Sequence, residues 1–229
     1  MKKKIVIFAP HPDDEIFACG GTIIKWIKEE HDVHLIYVTD NRALISWGKQ
    51  VDQLIQEQAR DYLGLSEDQI ANIALKEASV VSQKLGLTQS NVHFFKFYDQ
   101  EAMSNIEKGV KLSKKIIFDA NRIVLPSDNN SHPDHQATHT IAKRAAEELD
   151  LKEVEFYVYN IRGALKIPKE KQIKVNVVQF RPKILEIIKN YKTQLCIKET
   201  KMGLEMLKRR RSERFAIFNF NDINKFVNF

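Results

Sequence analysis

The sequence is short of the residues that staple, punctuate or anchor a chain. Its two cysteines, Cys19 and Cys196, stand far apart with no CxxC spacing. They make neither a disulfide framework nor a thiolate zinc site, so a reducing, cytoplasmic setting is expected. Eight glycines and six prolines in 229 residues fall below the average usage of about 7% and 5%, which excludes collagen-like, low-complexity and linker-rich chains. No apolar run approaches the roughly 18 residues of a membrane-spanning helix. The short run Ile5 to Ala9 after Lys2-Lys3-Lys4 is too brief for a signal peptide. The glycine-rich fingerprints of dinucleotide- and nucleotide-binding loops are missing too.

What is present is ordinary globular composition, 43% hydrophobic and 29% charged, enough to bury one core. No internal repeat or linker divides it, so one domain over residues 1–229 is expected, with 175–229 as a C-terminal extension packed on the core. The net charge of +6 is unevenly placed. Residues 1–180 carry 24 basic and 25 acidic side chains, a balance of −1, whereas 181–229 carry 12 and 5, a balance of +7. Much of that excess is Lys208-Arg209-Arg210-Arg211 with Arg214, a pattern most often found on a solvated helix face. Phe215, Phe218 and Phe220 nearby alternate like a buried strand rather than a stacking platform, which argues against a nucleic-acid partner.

Continuous β-branched and aromatic runs at Ile5 to Ala9, Val33 to Val38, Asn91 to Phe97, Arg122 to Leu125 and Val154 to Tyr159 read as strands buried on both faces. Helical spacing falls between them, near 13–30, 68–85, 104–119 and 134–149. That alternation predicts an α/β fold, a Rossmann-like three-layer α/β/α arrangement with a mostly parallel sheet. A strand over Val175 to Phe180, helical stretches near 182–211 and a strand over Phe215 to Phe218 complete the expectation. Ligands in such sheets bind beyond the carboxyl ends of the strands. There the chain places His11-Pro12-Asp13-Asp14-Glu15, then Thr39-Asp40-Asn41-Arg42, then Ser131-His132-Pro133-Asp134-His135.

Acids in the first turn of a helix are favoured by its dipole, but capping needs one carboxylate rather than three. Crowded like charges are costly to ionise, and a divalent cation offsets that cost. His132 and His135, three apart at another strand-to-helix turn, supply imidazoles beside Pro133, which suits the first helical position. Together the two segments offer His, Asp and His for a tetrahedral metal, with a carboxylate and an imidazole left over.

These motifs, with Tyr191-Lys192-Thr193-Gln194, resemble the PIG-L (LmbE-like) deacetylases, from Ile5 to about Phe218. The resemblance implies a zinc-dependent enzyme that removes an N-acetyl group from an N-acetylglucosamine-type sugar or sugar conjugate. It places the metal ligands on His11, Asp14 and His135, and the general base on Asp13, which activates a zinc-bound water. His132 then assists at the acyl oxygen as an imidazolium, with Asp134 beside it as an orienting partner. Other divalent metals suit the same donors.

Two positions depart from the family pattern. Thr39-Asp40-Asn41 stands where Thr-Asp-Gly is common, and Ala74, with Lys76 nearby, stands where an arginine is frequent, which leaves Arg42 as the candidate substrate cation. His139 imitates a metalloprotease spacing but has no glutamate between it and His135. Cys19 reads as a small core residue, and Trp47 sits in an expected loop over 40–50, as suited to packing as to a sugar face. Two alternatives stay open: a divalent-metal phosphoryl- or nucleotidyl-transfer enzyme, and a non-catalytic metal-binding protein of the same fold. Neither a membrane partner nor nucleic acid is expected, and a homo-oligomer is left open.

Overall fold

A computed structural model describes residues 1–161 and 165–223. Strand β1 (Lys4–Ala9) is followed by α1 (Asp14–Lys28), β2 (Asp32–Thr39), α2 (Leu44–Gln50), α3 (Gln56–Ala59), α4 (Glu67–Leu85), β3 (Val92–Phe97) and α5 (Ile106–Ile117). Then come β4 (Arg122–Pro126), α6 (Pro133–Glu148), β5 (Glu155–Tyr159), β6 (Gln172–Asn176), α7 (Arg181–Ile187), α8 (Lys198–Arg209) and β7 (Ser212–Asn219). The seven strands form one sheet in the order β3-β2-β1-β4-β5-β7-β6. Neighbours from β3 to β5 pair in parallel, while β7 runs antiparallel to both β5 and β6. This is the Rossmann-like, mostly parallel three-layer fold.

Strand pleat explains why β1 reads as an unbroken apolar run. Ile5, Ile7 and Ala9 join the core under α1, α4 and α7, while Val6 and Phe8 join the core under α5 and α6. The chain leaves β1 toward β2 on one side and β4 toward β5 on the other. Their following loops diverge and open a crevice at this topological switch point.

Three local expectations fail. Val175 to Phe180 is a strand only at its first two residues: β6 spans Gln172–Asn176, and a short 3₁₀ turn over Val178–Phe180 carries Val177 and Phe180 into the α1 side of the core. The first helix is broken at Cys19, where φ is −148°. The buried Glu213 carboxylate of β7 accepts from the backbone N–H groups of Gly21 and Thr22 and from the Thr22 hydroxyl, satisfying donors at the break. The 40–50 segment is not a loop either. It contains α2, held by Ile45 against Leu54, Ile70, Cys196 and Ile197 in a small separate cluster.

Candidate metal centre

Two strand-to-helix turns build the centre. After β1, the His11 backbone N–H donates to Asp14 Oδ2 at 2.9 Å, which folds the acid back over the loop. After β4, His132 caps α6: its Nδ1 accepts from the Asp134 backbone N–H at 3.3 Å, and Pro133 occupies the first turn. The cap points His135, one turn in, toward the β1 loop.

His11, Asp14 and His135 are all buried, and their ligand atoms lie within 4.8 Å of one another. His11 Nδ1 is 3.2 Å and His135 Nε2 is 3.4 Å from Asp14 Oδ2. Ligand bonds of roughly 2.0–2.1 Å in a tetrahedron give edges of about 3.3 Å, so these separations fit a zinc-sized ion.

The electrostatics agree. Burial alone would lower the pKa of the His11 imidazole, but hydrogen bonds to Asp134, Asp14 and Asp99 outweigh it and hold the ring well above its ordinary value. The same carboxylates that favour the protonated His11 ring would be balanced by a divalent cation, whose binding would compete with that proton. Asp14 is depressed in turn: burial works against it, but His135 and His11 overcome it. His135 is lowered to about 4, chiefly by burial, which keeps it a neutral potential ligand.

Asp134 lies beside His132 as expected, its backbone N–H on Nδ1, but its carboxylate makes closer contacts elsewhere. Its Oδ2 accepts from the Gln100 backbone N–H at 2.6 Å and lies 3.1 Å from His11 Nε2, while His132 Nδ1 is 4.0 Å away. Asp99 Oδ1 stands 3.2 Å from the same His11 nitrogen. Both carboxylates therefore fix the ligand ring from behind, the arrangement that orients metal-bound histidines elsewhere. Asp99 follows β3 at the same sheet edge but carries no motif that marks it in the sequence.

His132 packs edge-on to His11, with centroids 4.7 Å apart. Burial, then the charge on His11, lower its pKa. That direction favours a neutral ring over the imidazolium expected from the sequence, and a bound cation would act the same way. Since Nδ1 accepts from the Asp134 N–H, the proton sits on Nε2.

Asp13 is the strained member, with φ at 109° in the left-handed region. Its backbone N–H donates to Glu15 Oε2 at 3.1 Å, and Glu15 Oε1 accepts from Tyr191 OH at 2.7 Å. Tyr191 OH is 3.1 Å from Tyr37 OH, which contacts Ser82. Burial pushes Glu15 up to about 7. The third acid of the motif is thus a buried brace for the Asp13 backbone, and the Tyr191 segment is its anchor.

A cavity of about 1080 Å³ opens over the centre, lined by His11, Asp13, Asp14, His132 and His135. Arg42 is turned away from the role expected of it. Its guanidinium pairs with Asp40 at 2.9 Å and Asp68 at 3.0 Å and stacks 3.4 Å over Tyr98. Its neighbour Asn41 lines the cavity instead, as do Trp47 and Gln194. His139 donates through Nδ1 to the Pro126 carbonyl at 2.8 Å and lies outside the ligand set, and Cys19 is core.

A layered, mostly parallel sheet with a His, Asp and His donor set at its switch point, beside a second possible donor group of His11, Asp99, His132 and Asp134, defines an α/β protein with a candidate metal centre. Residues 6–146 match the PIG-L family model, described as GlcNAc-PI de-N-acetylase. That is more than half of the chain, and the protein belongs to this family. Among solved structures, N,N'-diacetylchitobiose deacetylase from Pyrococcus horikoshii, bound to an inhibitor, is similar with a TM-score of 0.72 and 19% identity, over 96% of this chain and 85% of its own. The zinc-inhibited form of teicoplanin deacetylase Orf2 gives 0.70 and 15% identity, over 94% and 98%. At these identities the likeness shows the fold. A Bacteroides thetaiotaomicron protein named as glucosamine-6-phosphate deaminase-like is 40% identical over 43 residues, 19% of this chain and only 6% of that relative's length.

Proposed function

We propose that this protein hydrolyses the N-acetyl group of an N-acetylglucosamine-type sugar or sugar conjugate, with a divalent ion, zinc by preference, held by His11, Asp14 and His135. The observation that carries the reading is the pair of ligand contacts of 3.2 and 3.4 Å at Asp14, with Asp13 beside them on the cavity wall. The family description and the deacetylase neighbours support the substrate class. When bound, the ion supplies Lewis acidity, polarising the acyl oxygen and lowering the pKa of water.

The residues divide the remaining work. Asp13 takes a proton from the attacking water and returns it to the departing amine, a general acid–base role supported by its place beside Asp14 on the cavity wall. Neutral His132 donates through Nε2–H to the acyl oxygen as that atom gains charge; a well-placed donor of this kind contributes about 3–4 kcal/mol elsewhere. Asp134 and Asp99 hold His11, and Glu15 holds the Asp13 backbone.

We read the chain, residues 1–229, as one deacetylase-like domain with 175–229 as a C-terminal extension, supported by the insertion of β7 between β5 and β6, which ties the extension's described residues into the sheet. Free, buried Cys19 and Cys196 support a cytoplasmic setting. Among the described residues, no helix is long and apolar enough to cross a membrane. The test joins metal analysis to acetate release over a panel of N-acetyl sugars and conjugates. Metal-dependent acetate release is expected, whereas a metal-loaded protein inert on every member, or one that turns over nucleotides with magnesium, overturns the reading.

A further inference from the structure

Asn41 follows β2 at the same sheet edge as the metal centre and lines its cavity. Its backbone is left-handed, with φ at 59°, a conformation that asparagine tolerates and glycine adopts freely. The side chain is 4% exposed, yet its Nδ2 has no hydrogen-bond partner. A buried donor left unpaired is unfavourable, and nothing in the fold of this turn requires it. Gln194, 2% exposed on the same cavity wall, has an unpartnered Nε2 as well. Two residues with uncharged, unpartnered amide donors therefore sit in the wall of a space also lined by Asp13, Asp14, Asp99 and Glu199 and by Lys198 and Arg210. Lys198 is paired with Asp52 and Arg210 donates to the Phe17 carbonyl, so an anionic group would meet the acids without a free cation among the lining residues to offset them. A hydroxyl oxygen suits the mixture, because it accepts from an amide and donates to a carboxylate.

We propose that Asn41 is a specificity residue whose Nδ2 donates to a ring hydroxyl of a neutral sugar seated over the metal centre. The inference rests on the deacetylase reading for the sugar's identity. Calorimetric binding of N-acetylglucosamine and glucosamine to the metal-loaded full chain tests it, beside KM and kcat for acetate release and thermal melting of the metal-free protein. Asn41→Gly suits the backbone and removes the donor. It is expected to weaken both sugars and raise KM about ten-fold, with kcat within about two-fold and melting no lower than in the unsubstituted chain. Deoxy analogues locate the acceptor, since the analogue lacking that hydroxyl binds both proteins equally. Unchanged sugar affinity, a kcat loss at constant KM, or a melting point lowered by several degrees overturns the proposal. So does an unsubstituted protein that binds neither sugar. Sugar binding that depends on Asn41 without acetate release upholds Asn41 and removes the deacetylase reading.

Discussion

At the amino ends of β2 and β3, His34 and His93 stack with ring centroids 5.4 Å apart and facing nitrogens at 3.1 Å. At the carboxyl ends of β1 and β4, His11 and His135 lie 5.3 Å apart. The ring spacing is almost the same, and the chemistry is not. Burial, then the charges of His34 and Lys4, press His93 down to about 4. Burial presses on His11 as well, but Asp134, Asp14 and Asp99 converge on it and reverse the outcome. One carboxylate, Asp32, stands 3.3 Å from His34 at the outer pair. Proximity of imidazoles therefore does not make a metal site. Convergent carboxylates do, and they converge where three strand-end loops meet at the switch point.

Removing a ligand breaks the comparison most severely. His135→Ala is expected to empty the centre and abolish activity, read by metal analysis after dialysis, whereas His93→Ala should leave metal content intact. Equal metal loss in both would dissolve the distinction. Next in size, Asp13→Asn should retain the metal while kcat falls by roughly 10²–10⁴, the usual scale for a general base. A metal-loaded Asp13→Asn protein with full activity removes Asp13 from that role. Smaller again, Asp134→Asn keeps the ligands but withdraws a carboxylate from His11 Nε2, so metal affinity should weaken about 10- to 100-fold, as for other residues that orient a ligand. A competition titration with a chelator reads it, and an unchanged affinity assigns the orienting role to Asp99 alone.

The parts of this centre that were legible lie next to each other in sequence. His11, Asp13 and Asp14 share one turn, His132 and His135 another, and the strands before them announce themselves as unbroken apolar runs. What supports them was illegible, because each support crosses the chain. Asp99 reaches His11 from the loop after β3, and Tyr191 reaches Glu15 across 176 positions. Asp134 sits within a legible motif, yet its carboxylate lies nearer to a residue 123 positions away than to the neighbouring His132 ring. Arg42 misled for a similar reason. Its charge was visible, but the Asp40, Asp68 and Tyr98 contacts that hold it off the cavity depend on how α4 and the β3 loop pack around it. The fold followed from periodicity except where an apolar segment serves packing instead of pairing, as at Val177 and Phe180.

The outer histidine pair yields the smallest effect and the most direct test of the electrostatic half of the comparison. His93 is neutral in the folded protein down to about pH 4, whereas in the unfolded chain an imidazole takes up its proton near pH 6.5. The stability tied to its neutrality is therefore present above the unfolded value and lost as pH falls from about 6.5 toward 4, because the unfolded state then binds a proton that the folded state refuses. His93→Gln removes that linkage. In chelator-treated protein, which silences the metal centre, its melting temperature relative to the unsubstituted chain should stay level above pH 7 and climb through this window on acidification. A difference independent of pH would mean that His93 is protonated as readily folded as unfolded. The contrast between a pair without convergent carboxylates and a pair surrounded by them would then rest on the metal data alone.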